Sequence, residues 1–221
     1  MDSIGEKGNL WNTKLMEVLV ILFVVLFPHY MPLPFYSYAI VCFLVVYLKL
    51  RAEGKKIKDL GLSRKDVNGK ALLIGLLSAG VWVAFMRWVY MPTIRLMVEV
   101  PAYTEYNFIQ EHFTTFLWIT VAAWIVGGFY EEIIFRGYIQ NTLERWFDSR
   151  YAFWWAAVIT SVLFGLYHIQ QGWFGVVAGI LGGLYWTWIY KLSGKRLWYT
   201  IFSHAIFDTI TLTLIYLDVF Q

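Results

Sequence analysis

The chain has 221 residues, of which 59% are hydrophobic and 20% are Phe, Trp or Tyr; only 15% are charged, and the formal net charge is +3. Soluble globular domains carry about 25% charged and about 45–50% apolar residues, so this composition excludes a water-soluble enzyme and a disordered regulator. A disulfide scaffold is excluded as well, because Cys42 is the single cysteine.

From Val18 to Leu48 there are 31 consecutive residues without Asp, Glu, Lys or Arg, whereas about 20 suffice for one helical crossing of a bilayer. The run reads as two spans, 14–31 and 34–50, joined at Pro32 and Pro34. Lys7 and Lys14 before an apolar stretch are the pattern of a signal peptide, but His29-Tyr30-Met31-Pro32 offers no small-residue cleavage site, so a first span is expected. Between Arg51 and Lys70 lie ten of the 33 charged residues. This loop reads as a cytoplasmic anchor against anionic headgroups of the lipid bilayer, not as a nucleic-acid surface. Further apolar runs predict spans at 71–91, 116–138, 152–169, 173–190 and 197–217. Continuous rather than alternating apolar runs indicate helices, since in hydrocarbon each helix pairs its own backbone groups. Gly175, Gly179 and Gly183 mark a close-packing face on the sixth span.

The expected fold is therefore all-α, a polytopic membrane helix bundle of about seven transmembrane helices (six to eight), forming a single integral membrane domain over 1–221. With the N-terminus cytoplasmic, 16 of the 18 basic residues fall on the inner side, leaving Arg87 and Arg95 outside with Glu99, Glu105 and Glu111.

Ionisable side chains within hydrocarbon are costly and mark function by default. The fourth span carries Glu131, Glu132 and Arg136, the fifth His168, and the seventh His204 and Asp208, whereas His29 and His112 fall in outer turns. Glu132 and Arg136 are spaced for a helical ion pair, which leaves Glu131 without a local partner and suited to proton transfer. Glu131 precedes the turn near Ser149 by 18 residues and His168 follows it by 19, matching depths of roughly 27 Å at 1.5 Å per residue, provided the fourth helix continues to Arg145. His204 and Asp208 lie about 10–16 Å from the inner end of the last helix and share one face.

The run Glu131-Glu132-Ile133-Ile134-Phe135-Arg136 resembles the EExxxR motif of the CAAX protease and bacteriocin-processing (CPBP, Abi) family. Phe164-Gly165-Leu166-Tyr167-His168 resembles its FxxxH motif and His204-Ala205-Ile206-Phe207-Asp208 its HxxxN/D motif, in the family's order, with the family core at about 113–217. The resemblance implies an intramembrane glutamic endopeptidase acting on a membrane-associated peptide or protein. Glu131 with His168 would activate water, and His204 and Asp208 would stand at the oxyanion-stabilising positions. Glu132 and Arg136 would support the site or engage a substrate carboxylate, with Phe164 beside them. Position 208 departs from the Asn usual in the CAAX-cleaving members. An ionised Asp208 would repel an oxyanion, so it either carries a proton or orients His204.

Glu and His are also zinc ligands, but no HExxH is present; the resemblance implies metal-independent chemistry, and no metal or cofactor is expected. The alternatives from other classes are a non-proteolytic membrane protein for bacteriocin immunity or scaffolding, and a proton-coupled transporter.

Overall fold

The computed structural model describes residues 13–31, 33, 36–100, 107–110 and 112–219. The turn expected at Pro32 and Pro34 lies outside them, as do Lys7, Glu105 and Glu111. Among the described residues the regular structure is helical, with seven long helical segments. They are α1 (Lys14–Tyr30), α2 (Tyr38–Ala52), α3 (Gly69–Ile94), α4 (Phe113–Glu144), α5 (Ala152–Leu166), α6 (Gly172–Leu192) and α7 (Leu197–Tyr216).

Each expected span coincides with one of these segments, but they are not equally suited to a membrane. Gly69–Ile94, Phe113–Glu144 and Ile169–Leu192 are long and apolar enough to cross one, whereas Ala152–Leu166 is apolar but shorter. At 17 and 15 residues α1 and α2 are short as well. α7 has 20 residues, but His204, Asp208 and its Thr side chains keep it below that apolarity. Large apolar side chains cover the outside instead of the interior alone: Leu15, Leu19, Leu22 and Leu26 form one exposed stripe on α1, and Trp118, Val121 and Ile125 lie exposed on α4. Such a surface belongs against lipid, and the protein is an integral membrane protein.

Helix starts follow local chemistry. The Thr13 hydroxyl accepts from the Met16 amide at 3.3 Å and the Asn68 carboxamide from the Ala71 amide at 3.0 Å, capping α1 and α3. Between α2 and α3 the charged loop folds into two 3-10 turns, Ile57–Leu60 and Arg64–Asp66. Gly61, at φ +92°, carries this loop onto the beginning of α7, where its carbonyl accepts from the Leu197 amide at 3.0 Å. A Cβ on Gly61 would stand 2.1 Å from the Lys195 carbonyl oxygen, so only glycine fits.

The centre of the bundle is the inner half of α4, where every residue from Tyr130 to Gln140 is buried, as in a core helix. It runs unbroken to Glu144, as the depth count required, but it is not uniformly α. Trp124–Glu131 and Ile133–Gln140 are π-helical, a conformation bonded i→i+5 that is rare overall but frequent at functional sites. The sequence carries no proline there to announce it.

Candidate active site

α4 and α7 run antiparallel at very close range. A Cβ on Gly128 would lie 2.6 Å from Ala205 Cβ, and one on Gly127 would lie 2.5 Å from Asp208 Oδ2. Further along the same seam, Trp124 Nε1 donates to Thr209 Oγ1 at 2.9 Å, and Phe116 stacks on Tyr216 with ring centroids 4.8 Å apart. The glycine pair thus removes the side chains that would hold the two helices apart, and this seam brings the first and third motifs together.

Inside the seam a chain of charged groups is buried. Glu132 is 0% exposed, Arg136 1%, His204 5% and Glu131 7%. Arg136 Nη1 lies 3.1 Å from Glu132 Oε1, and the same oxygen is 2.9 Å from His204 Nδ1. A carboxylate paired with Arg136 only accepts, so His204 Nδ1 carries the hydrogen and Nε2 faces the other way. Nε2 is 4.0 Å from Glu131 Oε2 and 3.9 Å from Asp208 Oδ2.

The second motif is delivered by another glycine-mediated contact. α5 and α6 pack antiparallel, a Cβ on Gly179 falling 2.8 Å from Gly165 Cα and one on Gly183 falling 2.8 Å from Ser161 Cβ. Of the close-packing face expected around Gly175, Gly179 and Gly183, the last two make this interface, whereas a Cβ on Gly175 would meet Gln171 and the His168 carbonyl in the turn before α6. The α5–α6 contact places Phe164 at the centre of the cluster: its ring lies 4.4 Å from Arg136 Cζ, 4.7 Å from the His168 ring and 6.1 Å from the His204 ring. Arg136 also donates from Nη2 to the Gly183 carbonyl at 3.3 Å. His168 sits just past the end of α5, in the turn that follows Leu166, and its Nδ1 is 2.8 Å from the Phe164 carbonyl. A carbonyl only accepts, so Nδ1 donates and neutral His168 presents an unprotonated Nε2.

All seven residues singled out in the sequence therefore belong to one neighbourhood. The imidazole within 4.0 Å of Glu131 is that of His204, and His168 makes its short contact with its own helix. α5 ends at Leu166, so His168 lies in the turn after the helix, where depth counting had kept it on the helix. Sequence reasoning also passed over Gly127 and Gly128, although a glycine doublet just before an intramembrane acidic pair is a small-residue packing signal. Trp186, stacked on His204, carried no signal beyond its place on the sixth span. Among the described residues no group of three His, Cys, Asp or Glu side chains is gathered as metal ligands.

An all-helical membrane protein with a buried carboxyl, imidazole and guanidinium cluster is equipped for proton transfer away from bulk water. The family model described as type II CAAX prenyl endopeptidase, Rce1-like, matches residues 113–210. Those residues are similar to that protease family, and the resemblance carried by the three motifs is borne out. No curated protein and no solved structure matches the chain.

Proposed function

We propose that this protein is an intramembrane endopeptidase that hydrolyses a peptide bond in a membrane-associated peptide or protein. The observation that carries the reading is the buried relay Arg136–Glu132–His204, which aims His204 Nε2 at Glu131 and Asp208. Glu131 takes a proton from a water molecule as that water attacks the scissile carbonyl, and returns it to the leaving amine when the tetrahedral intermediate collapses. His168, with Nδ1 committed to the Phe164 carbonyl, offers Nε2 as a second acceptor for the same water. His204, held through Nδ1 by Glu132, donates from Nε2 to the oxyanion in its imidazolium form. Asp208 lies 3.9 Å from that nitrogen, which supports a role in orienting His204 over direct contact with the oxyanion. Glu132 and Arg136 support His204, and their mutual pairing favours this role over capture of a substrate carboxylate.

The bundle in this reading crosses the membrane seven times with the N-terminus cytoplasmic, since that arrangement puts 16 of the 18 basic residues inside. The test is a comparison of membrane-protein termini in cells carrying wild type, Glu131→Gln or His168→Ala. New termini present with wild type and absent with both variants are expected. Equal cleavage by all three would refute the reading.

A further inference from the structure

Trp186 lies on α6, outside the three motifs, and its indole stacks on the His204 imidazole with centroids 3.8 Å apart and planes at 20°. The Nδ1 hydrogen bond to Glu132 fixes one atom of the His204 ring but leaves the ring free to turn about that bond. A second constraint is needed to set its plane, and the stacked indole supplies it. The indole is itself held on several sides. Nε1 donates to Ser203 Oγ at 3.2 Å, and that oxygen also accepts from Ser78 Oγ at 2.9 Å. Phe164 and Phe207 meet the ring edge-on at 6.2 and 5.9 Å. One turn earlier, a Cβ on Gly182 would stand 2.9 Å from Trp186 Cζ3, so the glycine clears the place the ring occupies.

We infer that Trp186 is a positioning residue for His204, setting the plane of the imidazole and so the aim of Nε2 at Glu131 and Asp208. Its consequence for turnover rests on the protease reading above; the stacking role does not. A preorganised donor must meet the developing charge in direction as well as distance, and misplacement by about 1 Å can cost about 100-fold in rate.

The test uses the full chain in lipid nanodiscs with ¹³Cε1-labelled histidine. The His204 signal is identified by its loss in His204→Asn. In wild type the ring current of Trp186 displaces this signal upfield; Trp186→Phe retains most of the displacement, and Trp186→Leu abolishes it. An unchanged His204 signal in Trp186→Leu overturns the inference whether or not the protein is a protease. If Trp186→Leu fails to fold, Ser203→Ala replaces it: releasing Nε1 lets the indole tilt and shifts the His204 signal part of the way, and no shift overturns the inference. In parallel, hydrolysis of a farnesylated CAAX peptide is followed. Trp186→Leu is expected to lower kcat by about 10–100-fold with KM little changed, and Trp186→Phe to restore it. Wild-type kcat in Trp186→Leu, with Glu131→Gln inactive, overturns the inference and leaves the protease reading standing. Wild-type turnover in Glu131→Gln overturns that reading instead, and the His204 signal still decides the role of Trp186.

Discussion

Gly128→Ala tests the seam between α4 and α7 with a single methyl group. A Cβ at this position would lie 2.6 Å from Ala205 Cβ, 3.2 Å from its Cα and 3.3 Å from its amide nitrogen. Carbon atoms rest at about 3.5–4.0 Å, so the helices must part by roughly 1 Å, and neither the Ala205 methyl nor the backbone can rotate aside. The His204–Glu132 hydrogen bond spans this seam at 2.9 Å; moving its partners apart by that amount takes it beyond about 3.2 Å, the ordinary limit for such a bond. Overpacking of this kind costs about 1–3 kcal/mol, and the misalignment lowers turnover by about 100-fold. Thermal unfolding of the purified protein, paired with termini proteomics of cells carrying the variant, measures both. Gly127→Ala is the control, because its Cβ presses at 2.5 Å only on Asp208 Oδ2, the end of a side chain that can swing away, and meets His204 Nε2 at an ordinary contact distance of 3.9 Å. It should disturb Asp208 while leaving the helix spacing, and most of the stability, intact. Wild-type stability and cleavage in Gly128→Ala would refute the claim that close approach builds the site.

Three further outcomes follow from the same geometry. Glu132→Gln leaves the buried Arg136 without its carboxylate and should destabilise the fold by about 3–5 kcal/mol, a fall in Tm far beyond that of Glu131→Gln; equal Tm values would contradict the assigned roles. Outside the membrane, burial pushes the Glu53 carboxyl up, but hydrogen bonds from Lys49 and Lys55 outweigh it and hold the group below the usual carboxylate range. A lowered value in the folded state means that the stabilisation is complete above the ordinary carboxylate pKa of about 4.3 and disappears as pH falls through the folded value. Tm should therefore be insensitive to this pair near neutrality and drop in acid, and Glu53→Gln should remove that part of the drop. The Lys195–Glu144 pair, at 2.6 Å but with side chains 42% and 25% exposed, should be worth less than about 1 kcal/mol; a larger loss of stability in Lys195→Ala would show that the inner turn is more tightly built than its exposure indicates.

The helical segments and the site residues were legible for different reasons. Long apolar runs bounded by charge locate α3, α4 and α6 directly, because a membrane core admits little else. Glu131, Glu132, Arg136, His168, His204 and Asp208 stood out because ionisable groups are rare in such runs. The Glu132–Arg136 pair was legible from its spacing along one helix, but the partners reached across helices were not. That Glu132 serves both Arg136 and His204 depends on the approach of α4 to α7, which depends in turn on Gly127 and Gly128 lacking side chains. The π-helical stretches were hidden for a related reason: counting at 1.5 Å per residue presumes α geometry throughout, and nothing in Ile133–Gln140 departs from ordinary helix formers except Gly137.

The π stretches and the glycine contacts bear on one another. Gly128, Glu132, Arg136 and Gln140 are four residues apart along α4, and each is met by a different part of the bundle. Gly128 faces Ala205, Glu132 faces His204, Arg136 lies against Phe164 and the Gly183 carbonyl, and Gln140 accepts from Thr187 Oγ1 at 2.9 Å. One line of α4 thus touches α7 above and α5 and α6 below. The partners of Glu132 come from α7 and from its own helix, while the aromatic faces that confine Arg136 and His204 come from α5 and α6. Loosening either glycine-mediated interface therefore acts on the same imidazole. Gly179→Ala, whose Cβ would press on Gly165 Cα at 2.8 Å, should impair cleavage in the same way as Gly128→Ala. Making both changes together should reduce activity by less than the product of the separate losses, since once His204 has lost its aim a second displacement has little left to remove. Fully multiplicative losses would mean that the two interfaces serve separate functions, and that His204 is not the point at which they meet.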